Sequence, residues 1–133
     1  MAQSAQPSNW PASAIHILYV EDHRDTRDAM SRLLGINGFR VSVAANAAEA
    51  RVQCSADRFD LILMDIGLPD GDGCDLFREL RQSCDTPGIA LSSYGMEQDI
   101  QRFVAAGFAD HVLKPLAFEK LVEMIIATTR TPV

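Results

Sequence analysis

Short apolar runs alternate with segments of helical character along most of the chain. The apolar runs predict strands at residues 15–20, 40–44, 61–64, 89–91 and 111–113. The run at 61–64 is continuously apolar between Asp60 and Asp65, which is typical of a central parallel strand buried on both faces. Polar or glycine-containing segments follow each run, so the strands are predicted to be short and separate.

The segments that follow the strands predict helices at residues 24–36, 46–56, 75–82, 100–107 and 118–126. In the first of these helices, Ala29, Leu33 and Ile36 recur at helical spacing and are expected to form its apolar stripe. The second begins with Asn46 as N-cap and Glu49 three residues later, the pattern of a capping box. Residues 68–73, rich in Pro, Gly and Asp, are expected to form a loop.

Alternating strands and helices predict an α/β fold with a parallel sheet and helices on both of its faces. Right-handed crossovers leave few topologies, and a five-stranded doubly wound sheet of order 2-1-3-4-5, the flavodoxin-like arrangement, is the leading one. We expect this domain to span residues 14–130. Residues 1–13 contain no charged side chain and are rich in Ala, Ser, Gln and Pro, which predicts a disordered leader or linker.

Composition and charge narrow the range of partners. The 133 residues include 18 acidic and 12 basic side chains, for a net charge of −6, so direct binding to nucleic acid is not expected. No apolar run approaches a membrane span, and the N-terminus lacks the features of a signal peptide, so we expect a cytoplasmic protein with no membrane partner. Three cysteines without a C-x-x-C pair argue against a disulfide framework or zinc site.

Polar side chains follow four of the five predicted strands. Glu21 and Asp22 follow the first strand, Asp65 the third, Ser92 the fourth and Lys114 the fifth. In the proposed strand order these four strands are neighbours, and functional sites in parallel sheets form at the carboxyl ends of strands. Clustered carboxylates suit Mg²⁺ or Mn²⁺, and Lys suits a phosphoryl oxygen. A carboxylate can also act as the nucleophile that forms an aspartyl phosphate.

Each of these residues taken singly has a simpler structural explanation, as a helix cap, a turn former or a surface side chain. Their joint position at consecutive strand ends is what favours a site. Other motifs do not fit the sequence. Gly71 and Gly73 lack the third glycine of a dinucleotide-binding loop, no phosphate-binding P-loop or G-x-S-x-G elbow occurs, and the three histidines lack zinc-ligand spacing.

The strand-end pattern resembles the receiver domain of two-component response regulators over about residues 14–129. The resemblance rests on residues 17–22 (ILYVED), 61–69 (LILMDIGLP) with Gly73 beyond, 89–95 (IALSSYG) and 106–115 (AGFADHVLKP). It implies that Asp65 accepts a phosphoryl group from a phosphohistidine of a histidine kinase or phosphotransfer protein. Receivers catalyse only their own phosphorylation and dephosphorylation, so no enzyme with a released metabolic product is expected.

The resemblance also implies roles for the other residues of the set. Asp22, Asp65 and the backbone carbonyl of Gly67 would bind Mg²⁺, with Glu21 acting mostly through water. Lys114 and Ser92 would contact the phosphoryl group, and the bond between Lys114 and Pro115 would be cis. Phosphorylation would then bias the face formed by the fourth helix, fifth strand and fifth helix toward a downstream partner, an output domain or a homodimer.

One position departs from the usual receiver pattern. Receivers often carry Tyr or Phe three residues before the Lys as a rotamer switch, and here His111 occupies that position. His is familiar there in receivers of hybrid sensor histidine kinases, so we expect either a stand-alone receiver or one cut from such a protein. The main alternative function is a phosphorylation-independent interaction domain on the same fold. A phosphatase that uses Asp65 as nucleophile is less favoured, because it would need an acid where Gly67 stands.

Overall fold

The computed structural model describes residues 14–93 and 95–130. The predicted leader at 1–13 lies outside the described residues, as does position 94 of the motif at 89–95. Predictions for these positions therefore stay predictions.

The described residues form a five-stranded parallel sheet of the predicted order. Its strands, numbered along the chain, are β1 (His16–Val20), β2 (Arg40–Ala44), β3 (Leu61–Asp65), β4 (Gly88–Ser92) and β5 (Asp110–Leu113). They lie in the order β2-β1-β3-β4-β5, and every neighbouring pair is parallel. The doubly wound α/β prediction is therefore confirmed, and the carboxyl ends of β1, β3, β4 and β5 lie along one edge.

Five helices cover the two faces of this sheet. They are α1 (Arg24–Ile36), α2 (Ala47–Ala56), α3 (Gly73–Leu80), α4 (Glu97–Ala106) and α5 (Phe118–Thr129). Side chains of α2, α3 and α4 pack in one core cluster, whereas side chains of α1 and α5 pack in the other. No helix within 14–93 or 95–130 is both long and apolar enough to cross a membrane.

The predicted bounds of α1 are confirmed, but its predicted apolar stripe is wrong. Leu33 and Ile36 are 44% and 75% exposed, and Ala29 is exposed as well. Leu34 is fully buried instead, and Met30 packs one turn before it against the same cluster. Apolar residues occur on two sides of this helix, so periodicity alone selected the wrong side. The contact with β1 and α5 decides which side is buried.

Helix α3 begins two residues earlier than predicted and ends at Leu80. The Asp72 side chain accepts hydrogen bonds from the backbone N–H groups of Cys74 (2.7 Å) and Asp75 (3.3 Å), which starts the helix before the expected position. Within the predicted loop, Gly67–Leu68 and Gly71–Asp72 pair as a small antiparallel hairpin. This hairpin leads the chain from the end of β3 directly into α3.

One of the two hydrogen bonds of the predicted capping box is present at the start of α2. The Asn46 side chain accepts from the Glu49 N–H at 2.8 Å. The Glu49 carboxylate, however, accepts from the N–H of Ala45 at 2.7 Å rather than from that of Asn46. At the end of α4, Gly107 is the C-cap and adopts the left-handed conformation with φ of +99°.

Candidate functional site

A cleft of about 320 Å³ lies at the carboxyl edge of the sheet, and we call it the acidic cleft. All the residues that the sequence placed at the four strand ends line it. Its lining consists of Glu21, Asp22, His23, Thr26, Asp65, Ile66, Gly67, Ser92, Ser93 and Lys114. The expected convergence at this edge is therefore present in the fold, because parallel strands β1, β3, β4 and β5 end side by side.

The segment after β1 is fixed in place around Glu21, which is buried. Its carboxylate accepts a hydrogen bond from the Tyr19 hydroxyl at 3.3 Å and one from the His23 N–H at 3.2 Å. The Arg27 guanidinium donates to the backbone carbonyls of Glu21 (3.0 Å) and Asp22 (3.3 Å). The Glu21 carboxylate is thus fixed at the buried base of the cleft, whereas Asp22 is exposed to solvent.

Asp65 lies between an ammonium group and a second carboxylate. The Lys114 Nζ is 3.4 Å from Asp65 Oδ2 and 3.2 Å from Glu21 Oε1. The backbone N–H of Gly67 donates to Asp65 Oδ1 at 3.3 Å. One cation therefore serves two buried carboxylates, and this leaves a net negative charge in the cleft.

The pKa of Asp65 reflects this arrangement. Burial is the largest cause that raises the pKa of Asp65 to about 6, and the nearby Glu21 carboxylate adds to it, while Lys114 opposes it. Burial also favours the neutral form of Glu21, but the His23 N–H and a hydrogen bond with Asp65 outweigh it. The pKa of Glu21 is consequently lowered. Asp65 is therefore the acid of this pair that takes up a proton first as the pH falls.

The lysine in the cleft remains charged. Burial alone would lower the pKa of Lys114, but the carboxylates of Asp65 and Glu21 outweigh burial and raise it. Its backbone is fixed as well, since the Lys114 N–H donates to the Ser92 carbonyl at 2.8 Å. The peptide bond between Lys114 and Pro115 is cis.

A close approach of two backbone segments fixes the loop after Asp65. A Cβ atom on Gly73 would lie 2.7 Å from the Asp65 carbonyl oxygen and 2.7 Å from the Ile66 Cα. The Gly73 N–H donates to the Ile66 carbonyl at 2.8 Å, and the Ile66 N–H donates to Leu91 at 3.1 Å. Glycine at position 73 thus allows the start of α3 to lie directly against the end of β3.

Ser92 and His111 lie on neighbouring strands beside the cleft. Ser92, at the end of β4, is buried. His111 on β5 is half-buried, and its ring centroid lies 5.8 Å from that of Phe103 in α4. His111 thus joins β5 to α4 through a contact between side-chain rings.

The donor set of the cleft fits a hard divalent cation such as Mg²⁺. Glu21, Asp22 and His23 can each place one ligand atom within 4.8 Å of the others, and Asp65 lies hydrogen-bonded to Glu21. Two adjacent buried carboxylates that share one ammonium group form an arrangement that a divalent cation stabilises.

Two residues that fix the Glu21 carboxylate were not predicted from the sequence. The buried hydroxyl of Tyr19 contacts Glu21, although Tyr19 reads as one apolar residue in a strand. His23 lacks zinc-ligand spacing in the sequence, but in the structure its backbone N–H donates a hydrogen bond to the Glu21 carboxylate. The sequence signal that could have identified His23 is its position directly after two acids at a strand end. No comparable signal exists for the Tyr19 hydroxyl.

Comparisons with known proteins agree with this geometry. The family model described as "Response regulator receiver domain" matches residues 17–126. An uncharacterized 14.6 kDa protein of Leptolyngbya boryana is 36% identical over 82% of this chain and 86% of its own length. The two-component response regulator PhoP of Pseudomonas aeruginosa is 38% identical over 86% of this chain. The match covers 51% of PhoP, so this chain spans about half of that regulator.

A solved structure of a receiver domain protein has the same fold as this chain. The structure of a CheY-like response regulator receiver domain protein from Methanospirillum hungatei superposes with a TM-score of 0.83 at 27% identity. The superposition covers 88% of this chain and 94% of that protein. The fold of this chain thus has a direct counterpart among solved structures.

Proposed function

This chain belongs to the response regulator receiver family, and on that premise we propose that Asp65 accepts a phosphoryl group from a phosphohistidine. The donor would be a histidine kinase or a phosphotransfer protein of a two-component system. The observation that carries the proposal is the position of Asp65, whose Oδ2 is 3.4 Å from the Lys114 ammonium and whose other neighbour is a carboxylate. A nucleophile and a cation for the incoming phosphoryl group thus lie together.

The proposed transfer needs little from the protein beyond position and charge. An Asp65 oxygen attacks phosphorus while the bond from phosphorus to the donor's imidazole nitrogen breaks, and that nitrogen keeps the electron pair. Lys114, released from its contact with the Asp65 carboxylate, then pairs with a phosphoryl oxygen. Water attacking the same phosphorus later returns the free carboxylate and inorganic phosphate.

Asp22, Asp65 and the Gly67 carbonyl would hold Mg²⁺ or Mn²⁺, with Glu21 acting through water. When bound, such an ion neutralises charge on the phosphoryl oxygens. Glu21 is suited to this supporting role because the hydrogen bonds from Tyr19 and His23 fix its carboxylate below the cleft. Asp22, being exposed, is accessible to a hydrated ion.

Output is proposed to pass through α4, β5 and α5. The Ser92 hydroxyl would move to the phosphoryl group, and His111, in contact with Phe103, would carry the change to α4. Exposed apolar side chains on this face, including Val104, Leu113 and Ile126, would meet a downstream partner, an output domain or a second copy. We expect His111→Ala to keep phosphorylation but to abolish phosphorylation-dependent affinity for that partner, and unchanged coupling would remove His111 from the switch.

The proposed setting is a cytoplasmic signalling protein, either stand-alone or part of a hybrid sensor histidine kinase, with residues 14–130 as the receiver unit. The domain would catalyse only its own phosphorylation and dephosphorylation. Any kinase activity would belong to other parts of a longer protein.

The test is the intact mass after incubation with acetyl phosphate and Mg²⁺. We expect a phosphoryl adduct on the wild-type protein that requires Mg²⁺ and is absent from Asp65→Asn. Asp85→Asn is the matched control, because Asp85 is an exposed acid at the opposite edge of the sheet, and it should keep the adduct. If neither acetyl phosphate nor a phosphohistidine donor modifies the wild-type protein, the interaction domain that needs no phosphorylation becomes the better hypothesis.

A further inference from the structure

One face of helix α2 is joined to the α3 region by three successive contacts. At the start of α2, the Asp70 carboxylate accepts from the Ala47 N–H at 2.8 Å. One turn later, the Arg51 guanidinium contacts the Glu79 carboxylate of α3 at 2.7 Å. Positions 47, 51 and 54 lie on one side of a helix, so Cys54 continues the same row of contacts.

The third contact joins two thiols. The Cys54 thiol lies beside the thiol of Cys84, which is in the connection between α3 and β4, and both residues line one cleft. The Cys84 thiol also donates to the Leu80 carbonyl at 3.3 Å. Both cysteines are free and half-buried. They are therefore held side by side between two elements that are otherwise fixed by Asp70 and Arg51.

This thiol pair is open to small solutes. Both cysteines line a cleft of about 1100 Å³ at the edge of the sheet opposite the acidic cleft, formed by residues 54–60, 81–87 and 128–130. Cys74 differs from them, since it is 2% exposed and packs within the core. An oxidant in solution can thus reach the pair but not the third cysteine, which provides an internal control.

We propose that Cys54 and Cys84 form a site of reversible oxidation, in which a peroxide converts the two thiols to an intramolecular disulfide. The first thiol attacks one peroxide oxygen, the O–O bond breaks, and a sulfenic acid and one water form. The second thiol attacks the sulfenic sulfur, the S–O bond breaks, and a second water leaves. Two thiols are oxidised and one hydrogen peroxide is reduced to two waters.

The surroundings of the pair assign the order of the two steps. Burial raises the pKa of the Cys54 thiol to about 11, so Cys54 is largely protonated and is a poor first nucleophile. Cys84 is accordingly the thiol that meets the peroxide, and Cys54 is the one that resolves the sulfenic acid. Because both thiols lie in one cleft, between α2 and the connection that follows α3, the disulfide would join segments that are already neighbours.

The experiment treats the full chain with increasing hydrogen peroxide, blocks remaining thiols with an alkylating reagent, and maps the product by mass. We expect one intramolecular disulfide between Cys54 and Cys84, with Cys74 alkylated only after unfolding, and complete reversal by dithiothreitol. The disulfide should raise Tm by about 10 °C, because it closes a loop of roughly 30 residues.

Single variants separate this site from general thiol oxidation. Cys54→Ser and Cys84→Ser should each abolish the disulfide, and Cys54→Ser should trap a sulfenic acid on Cys84. Cys74→Ala is the control and should leave the disulfide intact. The proposal is overturned if both thiols stay alkylatable at peroxide levels that oxidise free cysteine. It is equally overturned if the product is a disulfide between two chains or a disulfide that includes Cys74.

Discussion

Polar side chains at the two edges of the sheet have different kinds of partners. At the amino edge, the His16 N–H donates to Asp60 at 2.8 Å, and the His16 ring lies 2.9 Å from the Ser42 hydroxyl and packs against Phe59. At the carboxyl edge, Glu21 and Asp65 are held together with Lys114 as their shared cation. Every buried side-chain N or O atom of the described residues has a partner, so the difference lies in charge rather than in missing hydrogen bonds.

This difference distinguishes a structural edge from a functional one. At the amino edge, the Asp60 carboxylate accepts from a backbone N–H and the His16 ring lies beside a hydroxyl, so these contacts stabilise the fold. The adjacent carboxylates at the carboxyl edge repel each other, and a divalent cation can relieve that repulsion. Clustered charge that costs stability, rather than polarity as such, marks the edge at which binding is expected.

The two edges should also respond to acid in opposite directions. The pKa of Asp65 is raised, so its ionised form destabilises the folded protein, and this cost is lost as the pH falls from about 6 to about 4. Burial lowers the pKa of His16, and the nearby Arg40 adds to this. The unfolded chain therefore gains the His16 proton more readily, and stability falls as the pH decreases through 6.5.

The largest expected effect comes from breaking the backbone contact at the carboxyl edge. Gly73→Ala places a methyl group against the backbone of Asp65 and Ile66, which must move. We expect a loss of about 3 kcal/mol in the free energy of unfolding and at least tenfold slower phosphorylation, measured by urea denaturation and by mass. Gly71→Ala is the matched control, since a Cβ there meets no atom within 4 Å. Equal effects at both positions would contradict the assignment.

Removing the Asp65 carboxylate should show how much the repulsion at the carboxyl edge destabilises the folded protein. Asp65→Asn leaves Glu21 with Lys114 and no second acid, so at pH 7 without metal the variant should be more stable by on the order of 2 kcal/mol. This advantage should shrink as the pH falls from 6 to 4 and approach zero below pH 3.8, where Asp65 is mainly protonated in both states. Urea denaturation of both proteins across this range measures it. A difference that does not change with pH would rule out the raised pKa.

A change at the amino edge should affect stability alone. Ser42→Ala removes the hydroxyl that lies beside the buried His16 ring, and we expect a loss of about 1 kcal/mol in the free energy of unfolding. Phosphorylation by acetyl phosphate should be unchanged. Ser55→Ala serves as control, because the Ser55 hydroxyl is exposed at the end of α2. Slower phosphorylation of Ser42→Ala would show that the edges are coupled.

The smallest expected effect tests Tyr19 as a positioning residue. Tyr19→Phe removes only the hydroxyl that donates to Glu21, while the contacts of Glu21 with His23 and Lys114 remain. We expect Mn²⁺ binding, followed by calorimetry, to weaken about threefold, with less than about 1 kcal/mol change in stability. Identical Mn²⁺ affinity would leave Tyr19 with a packing role only.

Much of the fold and of the acidic cleft was predictable because both depend on residue type and order. Short apolar runs identify the strands, and Glu21, Asp22, Asp65, Ser92 and Lys114 each follow such a run. Parallel strand order then brings these ends together without any knowledge of side-chain contacts. The start of α3 was less accessible, since several acids precede the helix and only the structure shows that Asp72 caps it.

The sequence by itself determined the five β-α units, the strand order and the carboxyl edge as the place of the acidic cleft, because periodicity and chain connectivity are local properties. Only the tertiary structure decided that Leu34 rather than Leu33 of α1 faces the protein core, that the Tyr19 hydroxyl contacts Glu21, and that Cys54 lies beside Cys84. Each of these depends on which surfaces meet after the sheet is covered. Contacts between residues far apart in the chain are set by packing, which no local pattern records.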